Sequence, residues 1–461
     1  MNQAIRAASA LRCKINKDSY FERKHYCYQD LPLGYQITQQ AQPIATNGVL
    51  EYDVLKDGKF THRASSGIAR IQLEQDSGKS LYNAHPKYTL VDLNRAGCAL
   101  LEIVFDPDMR SPEEAAGALR AVQKLLRHIH ICDGNMQNGS MRCDVNISME
   151  ECLEDDKNSS STNSTTQRLV GGRVEVKNIN SIQHVATAAA YEASRHIAIL
   201  NKGDAVPRET RGFDATSDST YRMRSKETAV DYRIFRDPDL PPLCLTEDDI
   251  AAALQTASEN LETTAERLSC QYKLTDKQID MLITHQALTY FEATMWCVGG
   301  EGGEAGGDSV TSVASVYNWI FGDLLGNMNT LKQTFTECVV SPDQLSCIIT
   351  MVDRGEITGL QAKALLKDLF LEENHSIHPQ ELVHRKGWVK ITDTLAIHRI
   401  LDEILDDPKN DKQLRKYLSG NSRVSKYFFG EVMRVSKGQV DPKVLDELLG
   451  VALAARGTRQ E

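Results

Sequence analysis

The stretch MRCDVNI at residues 141–147 decides the fold class of the first half of the chain, because apolar and polar residues alternate along it. Its apolar members are Met141, Cys143, Val145 and Ile147. Its polar members, with the next residue, are Arg142, Asp144, Asn146 and Ser148. A period of two residues predicts a half-buried β-strand. Similar strands are predicted over 68–73, 100–105 and 174–179.

A helix with clear start signals lies between these strands. Ser111 is predicted to cap it, Pro112 occupies the first helical position and Glu114 the capping-box position. An apolar stripe then follows at Ala115, Leu119, Val122, Leu126 and Ile129. Asp133-Gly134 is predicted to end the helix. Strands alternating with such a helix over about 200 residues predict one α+β domain.

The remainder of the chain, from about residue 246, has a helical pattern. Ser341-Pro342 and Asp441-Pro442 each predict a helix start, and Gly355 predicts the end of the first of these helices. Two polar or glycine-rich inserts, 158–167 and 299–308, are predicted to be flexible. These features predict three domains: 1–245, 246–340 and 341–461.

The composition excludes some classes of protein. The chain has 461 residues, 25% of them charged, and lacks the run of about 20 apolar residues that a membrane span requires. A net charge of −10 is wrong for a globally basic nucleic-acid coat protein. The eleven cysteines form no CxxC pair, which favours reduced thiols in the cytosol or an organelle matrix.

The first 17 residues have two interpretations. They contain Arg6, Arg12, Lys14 and Lys17 but no acidic residue, as a mitochondrial presequence does. They also carry apolar residues at helical spacing, as an ordinary domain helix does. We favour the domain helix.

Glu102 is the most informative single residue, because it stands inside the apolar run CALLEIVF at residues 98–105. A carboxylate in such surroundings is costly unless it is paired. The alternatives are a metal ion, for which Mg²⁺ suits carboxylate ligands, or a buried arginine such as Arg95 or Arg142. Further polar residues alternate along predicted strands: Gln72, Glu74, Asp76, Arg142, Asp144, Asn146, Glu175 and Lys177.

Several segments together resemble the B subunit of glutamyl-tRNA(Gln)/aspartyl-tRNA(Asn) amidotransferase of the mitochondrial type. They are FERKHYCYQDLPLGYQITQQAQPI (21–44), LEQDSGKS (73–80), LVDLNRAGCALLEIVFDPDMRSPEEA (90–115), DGNMQNGSMRCDVNIS (133–148), EVKNINSI (175–182), DYRIFRDPDLPPL (231–243) and MRVSKGQ (433–439). The resemblance extends in order over nearly the whole chain. It implies a catalytic domain similar to the glutamine synthetase and guanido kinase fold, with an antiparallel sheet.

The resemblance also implies a function. Members of this family use ATP and Mg²⁺ to phosphorylate the γ-carboxylate of Glu-tRNA(Gln). Ammonia from a glutaminase-type A subunit then displaces phosphate and gives Gln-tRNA(Gln). The implied complex is a heterotrimer with a small C subunit, and the implied location is the mitochondrial matrix. Two alternatives remain: an inactive isoform that only binds tRNA as a scaffold, and a kinase of small carboxylates.

The predicted site combines the polar strand residues with the family pattern. Glu102 matches a metal-site carboxylate of the family. The bacterial pattern HxEEDAGK supplies a second carboxylate through its second Glu, where this chain has Gln75. We therefore predict Glu102 and Gln75 at the metal. The other predicted catalytic residues are Arg142, Asp144 and Lys177, and the predicted cofactor-binding residues are Glu74, Gln75, Asn146 and Asn178.

Both ends of the chain carry a further expectation. The family begins with a G-L-E-V-H strand that this sequence does not show, so we expect a shortened form with weak or no kinase activity and an exposed sheet edge. The last 51 residues hold ten Lys and Arg against six Asp and Glu. With the family in view, this basic tail predicts contact with the tRNA backbone through Arg423, Lys426, Arg434 and Lys437.

Overall fold

The computed structural model describes residues 1–81, 87–152, 167–225, 232–255, 259–299, 312–388, 393–418, 424–436, 439–440 and 442–457. The chain divides into two compact units, Met1–Thr264 and Ala265–Glu461. The division into three domains stays a prediction. Among the described residues, no helix has both the length and the apolar character needed to cross a bilayer.

The first unit is built from mostly antiparallel sheets together with two long helices and several shorter ones. Its strands are β1 (Lys14–Ile15), β2 (Asp18–Ser19), β3 (Glu22–His25), β4 (Tyr35–Thr38), β5 (Ala45–Lys56), β6 (Lys59–Gln75), β7 (Lys79–Leu81), β8 (Leu90–Asp92), β9 (Ala99–Phe105), β10 (Cys143–Cys152), β11 (Gln167–Ile179), β12 (Glu209–Asp214), β13 (Ser219–Ser225), β14 (Phe235–Arg236) and β15 (Leu243–Cys244). Its helices are α1 (Asn2–Ala10), α2 (Pro112–His128), α3 (Ile182–Leu200) and α4 (Glu247–Gln255), and α5 (Leu261–Tyr272) begins in it.

Two four-stranded sheets position the polar residues of interest. Their strand orders are β1-β5-β6-β9 and β10-β11-β12-β13, and β14-β3-β4 form a smaller sheet. All described strand pairs are antiparallel except β11 and β12, which are parallel. A mixed α and β fold with antiparallel sheets is thereby confirmed, whereas the likeness to the guanido kinase fold stays a prediction.

The predicted strands are confirmed as parts of β6, β9, β10 and β11. In β10 the polar residues Asp144 and Asn146 are exposed, while Cys143, Val145 and Ile147 are half-buried. These three apolar side chains pack on a core cluster that includes Val176 and Val185. The two-residue period therefore separates a core face from an open polar face.

Helix α2 begins as predicted but ends earlier. The Ser111 side chain accepts a hydrogen bond from the Glu114 N–H at 3.1 Å. The prediction that Asp133-Gly134 ends the helix is wrong, because His130 adopts a left-handed φ of 53°. The Ile131 N–H then bonds to the Leu126 carbonyl at 3.0 Å, which closes the helix before the chain reaches the glycine.

The N-terminal helix α1 belongs to the core of the first unit. Ala4, Ile5, Ala7 and Ala8 are buried in the same cluster as Ile68 of β6. This packing confirms the domain-helix interpretation of residues 2–10.

A buried ionic network fixes α3 to β12 and β13. Glu192 of α3 is fully buried and lies 2.8 Å from Arg195 Nη2 and 3.0 Å from Arg211 Nε. Arg211 also pairs with Glu209 at 2.9 Å. The Thr220 hydroxyl donates a hydrogen bond to Glu192 as well. Because β11 lies beside β12, this network supports the sheet that carries the open polar face.

The second unit is helical. Its helices are α6 (Asp276–Thr284), α7 (Leu288–Gly299), α8 (Val313–Asn318), α9 (Leu325–Leu331), α10 (Pro342–Asp353), α11 (Gly359–Leu369), α12 (Pro379–Arg385), α13 (Thr394–Leu405), α14 (Asp411–Leu418), α15 (Ser425–Val435) and α16 (Pro442–Gly457), with a π-helix at Trp319–Leu324. The predicted starts at Pro342 and Pro442 are confirmed, as is the end of α10 at Gly355, whose φ is 74°. Apart from Gln167 and Gly299, the two predicted inserts lie outside the described residues.

Candidate active site

The candidate site is centred on the pairing of β6 with β9. Gln72 lies directly opposite Glu102 in the antiparallel register, and Glu74 follows two residues later. Because paired residues and residues two apart share a face, all three side chains lie on one side of the sheet. Glu102 is exposed, whereas Gln72 and Glu74 are buried.

Glu74 is held by three neutral donors. The Thr38 hydroxyl donates to Glu74 Oε1 at 2.6 Å, and the Gln72 amide donates to the same oxygen at 2.8 Å. The Gln36 amide donates to Glu74 Oε2 at 3.2 Å. These bonds fix the orientation of a buried carboxylate that forms no ion pair with an arginine or lysine among the residues the structure describes.

Glu102 contacts the same network from the exposed side. Its Oε2 accepts a hydrogen bond from Gln72 Nε2 at 3.0 Å. Although Glu102 is exposed, desolvation of its carboxyl group raises its pKa to about 7, and the charge of Glu74 adds to the rise. The positive charges of Lys24 and Arg70 act in the opposite direction.

The predicted alternative partners of Glu102 pair elsewhere. Arg142 Nη2 lies 2.7 Å from Asp76 Oδ2, and Arg95 Nε lies 3.2 Å from the same oxygen. Among the residues that the structure describes, Glu102 forms no ion pair. The interpretation of Glu102 as the partner of one of these arginines is therefore wrong, because both arginines form their ion pairs with Asp76.

A second charged group lies on the open face of the other sheet. Lys177 Nζ lies 3.1 Å from Asp144 Oδ2 and 3.0 Å from Glu175 Oε1. Burial alone would lower the pKa of Lys177, but the two carboxylates outweigh it and raise the pKa above its usual value. Asn146 is exposed and lies opposite Glu175. The structure thus brings together Asp144, Lys177 and Asn146.

The structure does not place the side chains of two predicted residues, Gln75 and Asn178, at this site. Gln75 lies one residue beyond Glu74 in an unbroken register, so its side chain points to the other face of the sheet from Glu102. Its backbone carbonyl accepts a hydrogen bond from Gln36 at 2.8 Å. The Asn178 side chain lies outside the described residues. Within the described ranges, no group of three or more His, Cys, Asp or Glu has a metal-binding arrangement.

Lys24 and its aromatic neighbours are site residues that the sequence analysis missed. Lys24 Nζ lies 5.0 Å from the ring centre of Tyr232 and 5.9 Å from that of Tyr26. Burial raises the pKa of Tyr26 to about 12, with the Glu74 charge contributing, while the charge of Lys177 lowers it. The charges of Glu74, on one four-stranded sheet, and of Lys177, on the other, therefore act in opposite directions on the pKa of one phenol.

Arg70 was also missed, although its position in the alternation with Gln72 and Glu74 is a usable signal. Its Nε donates to Gln72 Oε1 at 2.7 Å. The site therefore presents carboxylates beside several cationic side chains. Carboxylates can hold a divalent cation, and arginine and lysine can neutralise phosphate oxygens. Such an arrangement suits phosphoryl transfer without a glycine-rich phosphate loop.

The predicted tRNA-binding residues lie in the second unit. Lys426 and Arg434 are exposed on α15, where Arg434 pairs with Glu431 at 2.7 Å. Phe428 and Val432 on the same helix are buried in a core cluster. Arg423 and Lys437 lie outside the described residues.

The comparisons with known proteins agree with one another. Residues 1–251 match the family described as the GatB/GatE catalytic domain, and residues 305–453 match the GatB domain. The chain is 38% identical to the mitochondrial glutamyl-tRNA(Gln) amidotransferase B subunit of Phytophthora infestans, over 97% of this chain and 85% of that protein. It is 39% identical to the aspartyl/glutamyl-tRNA(Asn/Gln) amidotransferase B subunit of Rhizobium meliloti, over 97% and 84%. The chain therefore belongs to the GatB/GatE family, the family of the amidotransferase B subunits.

Proposed function

We propose that this chain phosphorylates the γ-carboxylate of Glu-tRNA(Gln) with ATP and amidates it with ammonia. A carboxylate oxygen attacks the γ-phosphorus, the bond to ADP breaks, and an acyl phosphate forms. Ammonia then attacks the carbonyl carbon, and phosphate leaves with the former carboxylate oxygen. The first step is needed because a carboxylate lacks a good leaving group.

The observation that carries the proposal is the exposed Glu102 carboxyl group, held at one oxygen by Gln72 and placed near Lys24 and Arg70. Phosphoryl transfer needs positioning and charge neutralisation more than covalent work by the protein. Lys24 and Arg70 supply positive charge beside Glu102. Lys177 and Arg142 are further candidates, although each already pairs with a carboxylate.

Glu102 and Glu74 fit a Mg²⁺ site, whereas the predicted ligand Gln75 does not. Mg²⁺ is usually bound by one or two carboxylates together with phosphate oxygens and waters, so Glu102 with nearby Glu74 is a sufficient protein share. When bound, Mg²⁺ would neutralise charge on the transferred phosphoryl group. Gln75, on the opposite face, is a weaker candidate for this site than Glu74.

The family supports the wider assignment. We propose a heterotrimer with a glutaminase-type A subunit and a small C subunit, active in the mitochondrial matrix, with a catalytic domain similar to the guanido kinase fold. The test is to reconstitute the complex and supply Glu-tRNA(Gln), ATP and glutamine. Formation of Gln-tRNA(Gln) supports the proposal. Failure of this chain to form product, while it still binds the tRNA, would favour the scaffold alternative.

The exposed cations of α15 lead to a prediction about tRNA binding. We expect the double variant Lys426→Ala with Arg434→Ala to bind tRNA more weakly. It should also lower the slope of log Kd against log salt by about one to two, because a protein that contacts fewer phosphates releases fewer counterions when it binds. Filter binding at several salt concentrations measures the slope. Lys363→Ala with Arg385→Ala, two exposed cations elsewhere in the second unit, is the matched control. An equal change in both double variants would contradict a specific role for α15.

A further inference from the structure

The side-chain amide of Gln72 lies between the two carboxylates of the candidate site. Gln72 is 4% exposed, and its Nε2 lies 2.8 Å from Glu74 Oε1 and 3.0 Å from Glu102 Oε2. An amide NH₂ group has two hydrogens, so it can donate one to each carboxylate. Through this bridge Glu102 is connected to the buried network.

The orientation of the amide is fixed from its other end. Arg70 Nε lies 2.7 Å from Gln72 Oε1, and a guanidinium group can only donate. The amide oxygen must therefore face Arg70, and the NH₂ group must face the carboxylates. Arg70 thus excludes the flipped amide, which would present an oxygen to two negative charges.

The bridge has a consequence for Glu102. Glu74 is already immobilised by Thr38 and Gln36, so it provides a fixed point for the Gln72 amide. Through that amide, the exposed Glu102 side chain is tied at one oxygen to a buried, rigid group. An exposed glutamate without such a bond would sample several rotamers, and ordering it on binding would cost free energy.

We propose that Gln72 is a positioning residue that holds the Glu102 carboxylate ready to receive a divalent cation. This inference rests on the proposed function, since it assumes that Glu102 binds the cation. Gln72 itself contributes no charge and is not a cation ligand in this scheme. Loss of its two hydrogen bonds to the carboxylates leaves Glu74 and Glu102 in the protein but frees the exposed Glu102 side chain.

The test uses the full chain with Mn²⁺ alone as the probe, and electron paramagnetic resonance to measure free Mn²⁺. Gln72→Met keeps the side-chain length and removes the donors, so we expect Mn²⁺ to bind about 10- to 100-fold more weakly, as with other residues that orient metal ligands. Gln39→Met is the matched control, because Gln39 is also fully buried and hydrogen-bonded next to β6 but contacts neither carboxylate. It should lose stability yet keep the wild-type Mn²⁺ affinity.

The outcomes separate the inference from the proposed function. If Glu102→Gln abolishes Mn²⁺ binding while Gln72→Met binds as wild type, the positioning role is wrong and the cation site stands. Equal weakening by Gln72→Met and Gln39→Met would also overturn it, because it would show a general loss of structure. If Glu102→Gln binds Mn²⁺ as tightly as the wild type, the proposal that Glu102 binds the cation is itself wrong. Should Gln72→Met not fold, Gln72→Asn draws the amide back by one methylene group and should weaken Mn²⁺ binding in the same direction.

Discussion

Replacing Glu102 with glutamine should lower ATP-dependent amidation by the reconstituted complex about 1000-fold, which corresponds to roughly 4 kcal/mol of transition-state stabilisation. The substitution keeps the size of the side chain and removes its charge. Glu102 is the exposed carboxylate of the β6–β9 pair, so its charge is the one available to a cation. The measurement is the initial rate of ADP and Gln-tRNA(Gln) formation at saturating ATP.

The control for this prediction is Glu51→Gln. Glu51 lies on β5 of the same sheet and pairs with Arg12 and Arg63 at the surface. Because such surface pairs contribute little, about 0 to 1 kcal/mol, this variant should be as active as the wild type. Retention of more than about a tenth of the activity by Glu102→Gln, a loss of less than about 1.4 kcal/mol, would show that its charge is not needed.

Replacing Glu192 with alanine should lower the free energy of unfolding of the first unit by about 3 kcal/mol, because it leaves the half-buried cations of Arg195 and Arg211 to share the carboxylate of Glu209. Glu381→Ala, which breaks an exposed helical pair with Arg385, should cost less than about 0.5 kcal/mol. All three tryptophans, Trp296, Trp319 and Trp388, lie in the second unit. Tryptophan fluorescence would therefore report on the second unit, so the effect is measured instead by hydrogen exchange of the α3 amides during a urea titration. An α3 as stable in the variant as in the wild type would contradict the prediction.

The same network predicts a dependence on pH. Burial disfavours the charged form of Glu192, but His196, Arg195 and Thr220 outweigh it and lower its pKa to about 2 from the usual 4.5. A pKa below its unfolded value means that the charged form stabilises the fold above pH 4.5, and that this contribution is lost as the pH falls towards 2. A shift of this size corresponds to about 3 kcal/mol. In Glu192→Ala, the loss of stability between pH 4.5 and pH 2 should be correspondingly smaller.

Local sequence patterns predict the helices and strands well, but they do not predict which distant segments pair with one another. The alternation in 141–147 and the caps at Ser111 and Ser341 depend on neighbours in sequence, and the structure confirms them. The early end of α2 depends on a left-handed His130, a conformation that the sequence does not signal as a glycine would.

The candidate site shows the same division. Glu102 was identifiable because a carboxylate in an apolar run is unusual. Its companion depends on strand register, which places Glu74 rather than Gln75 on its face, and register between distant segments cannot be inferred from one segment alone. Lys24 lies on a strand of another sheet, so only the fold brings it near Glu102.

The central proposition is that this protein activates a tRNA-bound carboxylate as an acyl phosphate. It is tested most directly with Glu-tRNA(Gln) whose γ-carboxylate carries ¹⁸O, incubated with the complex, ATP and ammonia. We predict that each inorganic phosphate formed contains one ¹⁸O atom, and that Glu102→Gln releases almost none. Amide product accompanied by phosphate without ¹⁸O would contradict the mechanism, because the carboxylate oxygen would never have been bonded to phosphorus.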